Sequence, residues 1–280
     1  MGLGLLQKKT DCRTVNHTET YDWWEGLDWV EEEGYTTHLI TQHSVQFIKD
    51  NKDRPFCLYV AHEAVHNPLQ GPDDPAIRGP KKEDFTPDDP DETYCQMMKA
   101  MDDSLGDILA TVRESGIAEK TLVIFFSDNG GTPRNPLSNA PLRGHKGTVW
   151  EGGHRVPAIA WWPGKIRPGT ITDQLGISLD LMPTMLDLAG ASTPDGHTFD
   201  GTSLKSLLLD GNDLGSRQLF WNGKAMRDDT WKLVIDNETP QLFDLAHDIG
   251  ETNNLADQHP ERVQTMVQAI DAWKEDVKQT

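Results

Sequence analysis

TLVIFFSDNGGTPRNPLSNAPLRGHKGTVWEGGHRVP, Thr121 to Pro157, is the stretch that decides the fold class. It opens with six residues, Thr121 to Phe126, that are apolar or β-branched without alternation. Such a run predicts a strand buried on both faces, as in a parallel sheet. It stops at Ser127-Asp128-Asn129-Gly130-Gly131, so a carboxylate and an amide stand just past the carboxyl end of the strand. Open α/β sheets bind ligands there, and the paired glycines let the backbone turn sharply or approach a ligand closely. A loop with three prolines follows, then Arg143, His145, Lys146 and Arg155, interleaved with Gly144, Gly147, Gly152 and Gly153. Hard oxygen donors followed by glycine-spaced cations suggest a metal that holds an anionic substrate. Taken singly, Asp-Asn-Gly is also ordinary turn chemistry, and the basic run also fits a solvated loop.

Upstream, Thr93 to Val112 carries Tyr94, Met97, Met98, Met101, Leu105, Ile108, Leu109 and Val112 at helical spacing, with Gly116 as a stop. This predicts an amphipathic helix feeding the central strand, its methionines serving as core packing. Phe56 to Ala61 (FCLYVA) is a second apolar run, read as a second buried strand, and it ends at His62-Glu63-Ala64-Val65-His66-Asn67-Pro68-Leu69. A strand–loop–helix–strand order over 56–126 is α/β logic. Thr41 is placed to cap a helix running to about Asn51. Gly71 to Glu92, with five prolines and eight acids, reads as a solvated loop without chemistry of its own. In residues 1–34 the aromatic and acidic run Tyr21 to Trp29 reads as an irregular segment whose tryptophans pack onto the body, with stacking on a sugar ring as the alternative.

Downstream, Ala158 to Trp162 predicts a short strand, and Leu179 to Gly190 a helix with Pro183 in its first turn. Leu204 to Leu209 is a short apolar segment. Beyond about Arg217 the texture changes to short alternating strands, Gln218–Asn222, Trp231–Asp236 and Gln241–Leu245, as in an antiparallel meander. A last helix is expected from Pro260 to Lys278, with Val263, Met266, Val267, Ile270 and Trp273 on one face. The expected fold is therefore α/β: a mostly parallel or mixed central sheet flanked by helices, with a small C-terminal antiparallel sheet plus terminal helix. The expected divisions are a lead-in at 1–34, an α/β domain at 35–215 and a small α+β subdomain at 216–280.

Three pieces in order, Asp128-Asn129-Gly130, Leu142-Arg143-Gly144-His145-Lys146-Gly147 and Glu151-Gly152-Gly153-His154-Arg155-Val156-Pro157, resemble the second half of the sulfatase family, within the alkaline-phosphatase superfamily. The segment around Phe56 to Leu69 resembles the sulfatase stretch whose histidine contacts sulfate, with His66 rather than His62 at that position. The last segment, from Trp231 on, resembles the family's small C-terminal subdomain. The resemblance runs from about Tyr35 to Trp273. It implies that Asp128 and Asn129 are two of the ligands of a metal, usually calcium, and that Lys146 and His66 contact the sulfate. Lys146 would neutralise charge developing on the ester oxygens, and His66 would donate a proton to the leaving alcohol. Arg143 and Arg155 are read as supports of the loop. The family's nucleophile, a formylglycine made from the first residue of a C-x-P-S-R type motif, is not encoded in this chain: Cys12, Cys57 and Cys95 are followed by Arg-Thr-Val, Leu-Tyr-Val and Gln-Met-Met. A G-K-W-H type run is likewise absent. The chain thus reads as the C-terminal part of a sulfuric ester hydrolase acting on an aryl or carbohydrate sulfate. The alternatives are a phosphodiesterase or phosphonate hydrolase of the same superfamily, or a non-catalytic remnant that binds a sulfated glycan.

Composition limits the partners. The formal charge of 26 − 45 = −19 argues against nucleic acid or an anionic membrane surface. Three scattered cysteines without C-x-x-C argue against a disulfide framework or thiolate zinc site. No apolar run reaches membrane-spanning length, and MGLGLLQKKTDC lacks the basic region of a signal peptide. The family suggests a periplasmic, lysosomal or secreted setting. The expected partner is a sulfated small molecule or glycan, and the sequence leaves the oligomeric state open.

Overall fold

A computed structural model describes residues 8–9, 22–30, 32–67, 69–74, 87–133 and 139–278. Its contacts divide the chain into a first unit up to Thr121 and a second from Leu122 on. The boundary near residue 215, inferred from sequence texture, lies inside the second unit.

In the first unit, strands β1 (Lys8–Lys9), β2 (Asp22–Glu25) and β3 (Asp28–Trp29) form a small antiparallel ladder in that order. Trp23 from β2 is buried with Leu39 and Ile40, while Trp24 is 42% exposed, so one of these two tryptophans packs inward. Leu39 and Ile40 belong to helix α1 (Thr36–Asn51), which packs on helix α2 (Pro90–Glu114). Helix α2 begins where the sequence supplies start signals. The Asp89 carboxylate accepts the amides of Asp91 and Glu92, Pro90 stands in the first turn, and both acids of that turn complement the helix dipole. Its buried side, Tyr94, Met97, Ala100, Ser104, Ile108 and Val112, follows the helical period, and the chain leaves it through Gly116 at φ +71°.

Two expectations for this unit are corrected. Thr41 is not a cap: α1 starts five residues earlier, and the Thr41 hydroxyl lies inside the helix, 2.6 Å from the Thr37 carbonyl and 2.5 Å from Ser104 Oγ. A threonine back-bonding four residues up a helix carries the same polar signal as a capping threonine. Nor is Phe56 to Ala61 a buried strand: it joins no ladder among the described residues, Cys57 is exposed, and Tyr59 is 60% exposed. An apolar run states a tendency to be buried but does not supply the neighbour that a strand needs. Of the proline-rich acidic loop, 75–86 lie outside the described residues, as do residues 10–21 of the lead-in and Cys12 within them.

In the second unit, β4 (Val123–Phe126) pairs with β5 (Ala158–Trp161), from Val123 opposite Trp161 to Phe126 opposite Ala158. The α/β class stands, but this pairing is antiparallel, and no parallel ladder occurs among the described residues. The unbroken run in β4 reported hydrophobicity, not the direction of its partner; all four of its residues are half-buried. The short helix α3 (Glu151–His154) precedes β5, and α4 (Leu181–Ala189), closed by Gly190 at φ +65°, and α5 (Lys205–Asp210) follow it. Asp180 anchors this stretch: fully buried, it takes a bidentate pair from Arg217 at 2.7 Å on each oxygen and accepts the amides of Ile177 and Thr202.

The C-terminal antiparallel sheet is a four-stranded meander of β6 (Gln218–Trp221), β7 (Ala225–Asp228), β8 (Trp231–Asp236) and β9 (Thr239–Asp244), closed by helix α6 (Pro260–Val277). Strand β7 was not expected, although Asn222-Gly223 is a strong hairpin signal; both residues have φ above zero, and Lys224 N donates to Trp221 O. Alternation gives the sheet two faces. Met226, Leu233 and Leu242 pack with Met266 and Ile270 of α6. On the opposite face, Ala225, Val234 and Phe243 pack against Val149 and Trp150. The register puts Arg227 and Lys232 directly opposite each other, and Lys232 opposite Phe243, so two cations share this second face.

Candidate functional site

The turn after β4 is built from backbone contacts too close for side chains. Ser127 Oγ donates to Asn129 O, and Gly130 N donates to Gly153 O at 3.0 Å. A Cβ on Gly130 would lie 1.9 Å from Gly152 O, and one on Gly153 would lie 2.2 Å from Thr148 O; only glycine permits this approach. The next link joins the turn to the basic loop: Gly131 O accepts Lys146 N at 3.0 Å. The Asn139 side chain holds the same point from both sides, with Oδ1 accepting Gly131 N and Nδ2 donating to Gly131 O and Gly144 O. His145 donates from Nδ1 to Lys146 O at 2.9 Å, and Thr148 closes the loop on His145. Asp128 is exposed, and Asn129 and Lys146 are half-buried.

Thus Asp128, Asn129 and Lys146 belong to one hydrogen-bonded loop system at the carboxyl end of β4. His66 belongs to the first unit, where it is exposed with Nδ1 2.6 Å from Asn67 O. Its neighbour His62 is the more enclosed: Nε2 lies 3.1 Å from Ser104 Oγ, and burial pushes its pKa down.

Behind the loop lies a charge cluster that sequence reading missed. Lys232, fully buried, places Nζ 2.9 Å from Glu151 Oε1, 2.9 Å from Glu251 Oε1 and 3.2 Å from His154 Nε2. The Glu251 contact is an ion-pair distance without hydrogen-bond alignment at Oε1; its other oxygen accepts Glu151 N at 2.8 Å. Arg155 and Arg227 lie 3.4 and 3.6 Å from Glu151 Oε2. Arg143 donates to Glu251 O at 3.0 Å and stacks 3.6 Å above the Trp150 ring. Both loop arginines therefore contact supporting structure.

Burial favours the neutral form of each group, and neighbouring charge decides the outcome. For Glu151, burial is outweighed by Lys232, with help from His154 and Arg227, and its carboxyl is held below the ordinary range. For Glu251, burial prevails over Lys232 and the pKa is raised. His154, stacked on Trp221 at 4.2 Å, is pushed down to about 4 by burial and then by Lys232, against the pull of Glu151. It is neutral at pH 7.

Among the described residues, no group of three or more histidine, cysteine, aspartate or glutamate side chains is arranged to hold a metal. Asp128 and Asn129 supply two hard oxygen donors on adjacent residues at a strand end. They fit calcium in kind but make only part of a shell of six to eight oxygens. No helix among the described residues is long and apolar enough to cross a membrane.

A glycine-tight turn past a strand end thus bears a carboxylate and an amide, and the lysine loop is hydrogen-bonded to it. The Sulfatase family model matches residues 4–191, and a model of the C-terminal part of N-sulphoglucosamine sulphohydrolase matches residues 145–276. The chain belongs to the sulfatase family. It is 32% identical over 264 residues to a sulfatase of Formosa agariphila, covering 81% of this chain and 48% of that protein. It is 35% identical over 199 residues to the N-acetylgalactosamine-6-sulfatase of Homo sapiens, covering 69% of this chain and 36% of that protein. A crystal structure of Ps i-CgsB in complex with k-i-k-neocarrahexaose superposes with a TM-score of 0.76 at 29% identity, covering 89% of this chain and 56% of that one. The chain thus spans about half the length or less of these relatives.

Proposed function

We propose that this chain carries part of the metal and sulfate site of a sulfuric ester hydrolase, and that the covalent nucleophile is supplied from outside residues 1–280. Asp128 and Asn129 contribute oxygen ligands to a calcium ion, and Lys146 and His66 bind the sulfate group. The observation that carries this reading is the bond from Lys146 N to Gly131 O, which fixes the lysine loop to the Asp128 turn. When bound, calcium supplies positive charge that polarises an ester oxygen. The residues of this chain do the rest. Lys146 neutralises charge on the sulfate oxygens, and His66, which is exposed, hands a proton to the leaving alcohol. The substrate class is an aryl or carbohydrate sulfate, in line with a relative named an N-acetylgalactosamine-6-sulfatase.

Without a nucleophile the site can orient and polarise an ester but leaves attack to water. Residues 1–280 assayed with calcium and an activated aryl sulfate are therefore expected to turn over no faster than buffer. Turnover abolished by Lys146→Ala would refute this and point to an unrecognised nucleophile, with Cys57 and Ser127 first to examine. For a longer chain that includes the nucleophile, aryl sulfate should be turned over in preference to aryl phosphate; the reverse preference would favour the phosphodiesterase reading.

A further inference from the structure

We propose that Lys232, clamped between Glu151 and Glu251, is a positioning residue for the turn that carries Asp128 and Asn129 and for the backbone of Lys146. Its functional sense rests on the reading of that turn as a metal and anion site. The path is short. Lys232 Nζ holds Glu151 Oε1 at 2.9 Å, and Glu251 Oε2 holds Glu151 N at 2.8 Å, so side chain and main chain of Glu151 are fixed by one cluster. Glu151 opens α3, whose Gly153 O accepts Gly130 N at 3.0 Å and whose Gly152 N donates to Arg143 O at 2.7 Å. Gly131 O then accepts Lys146 N. Every segment of the site in this unit is within a few bonded steps of Lys232.

The packing leaves no slack along this path. A Cβ on Gly152 would meet Arg143 O and Gly144 O at 2.6 Å, and the corresponding clashes at Gly130 and Gly153 are tighter still. Backbone rests on backbone, so a shift of Glu151 moves Gly130 rather than being absorbed by a side chain. Two more cations converge on the same carboxylate from different elements, Arg155 beside α3 and Arg227 of β7. Apolar residues of equal volume would fill such a space at equal or better stability. What ionic groups add is a single arrangement that satisfies all the charges, and here that arrangement sets the register between the C-terminal sheet and the site loop.

The test is site-resolved amide exchange on the labelled full chain. Glu251→Gln keeps an oxygen for Glu151 N but removes the charge facing Lys232. The amides of Gly130 and Lys146 are expected to exchange about tenfold faster or more in this variant, while those of Met226 and Leu233 in the sheet keep their protection. Ile270→Val, a packing change on the far face of the sheet, should instead shift all amides of the unit together. Should Glu251→Gln fail to fold, Lys232→Arg, which retains the charge at altered geometry, is judged by the same criterion. Wild-type protection at Gly130 and Lys146, or a loss there no greater than at Met226 and Leu233, would overturn the proposal. Calcium calorimetry on the same samples separates the two readings: calcium binding that weakens about tenfold in Glu251→Gln supports both. A wild-type chain that takes up no calcium counts against the metal site, while the exchange comparison still decides the positioning role.

Discussion

Replacing Lys232 with methionine removes the cation from the cluster while refilling most of the side-chain volume. In the wild type its ammonium faces Glu151 and Glu251 at 2.9 Å each, and all three side chains are buried. Breaking a buried ion pair from one side costs about 3–5 kcal/mol, because the remaining charge is left in a poor solvent. Glu151 retains Arg155 and Arg227 at 3.4 and 3.6 Å, so the loss falls mainly on Glu251, and the lower end, about 3 kcal/mol, is expected. That is a large share of a typical folding free energy of about 5–15 kcal/mol. The effect depends on pH in a defined direction. Glu251 already has a raised pKa, and losing Lys232 raises it further. A carboxyl with a raised folded pKa is penalised above that pKa and relieved as pH falls through it. His154, freed from the repulsion of Lys232, also takes up a proton more readily in the folded variant. The deficit should therefore be largest at pH 7 and shrink towards pH 5. Urea unfolding followed by tryptophan fluorescence, comparing Lys232→Met with wild type at both pH values, measures it. A deficit below about 1 kcal/mol, the scale of an exposed pair, or one that is unchanged at pH 5, would refute the reasoning.

Three further outcomes are expected. Ile270→Ala, at a fully buried position between α6 and the sheet, should cost about 2–5 kcal/mol by urea unfolding, and a loss under about 1 kcal/mol would mean that helix is not anchored there. The second unit should lose stability between about pH 6.5 and 4, because His154 titrates near 4 when folded and near 6.5 when unfolded, so the unfolded chain binds the extra proton; a linkage of up to about 3 kcal/mol should flatten in His154→Gln, and identical pH slopes would exclude His154 as the source. Gly130→Ala should displace the Asp128 turn, since its Cβ would lie 1.9 Å from Gly152 O, and weaken calcium binding about tenfold or more relative to wild type; calorimetry showing unchanged affinity would separate the metal site from the turn.

Legibility in the sequence followed the range of the interactions. Helix α2 was readable from local signals, a periodic apolar side and Gly116 after its end, but its first turn, Pro90 to Glu92 behind the Asp89 cap, was read as part of the acidic loop. The meander and α6 were readable for the same reason, except β7, whose four mixed residues, AMRD, show no apolar alternation although the Asn222-Gly223 turn precedes them. Strand β4 was readable as a strand, but its partner, Ala158 to Trp161, arrives from the opposite direction after a loop that no local pattern orients. The site divided in the same way. Asp128, Asn129 and Lys146 stood out because glycine spacing marks places where backbones must touch, and a Cβ on Gly130, Gly131, Gly144, Gly152 or Gly153, though not on Gly147, would meet a carbonyl or side chain at contact distance or closer. The cluster behind them left no such mark. Glu151, Lys232 and Glu251 are far apart in the chain, and a charged residue in a sequence is by default a solvated one. Only Glu151 with His154 and Arg155 lies at helical spacing, and that local trio fits a surface turn equally well. What distinguishes it is the register of β7 on β8, which brings Arg227 beside Lys232 on the face that covers Trp150. That register is fixed by Met226, Leu233 and Leu242 packing under α6 on the opposite face, since a slip by one residue would exchange the two faces. The apolar side of the sheet therefore aims its charged side, and through Glu151 and the glycines of α3 that side reaches the Asp128 turn.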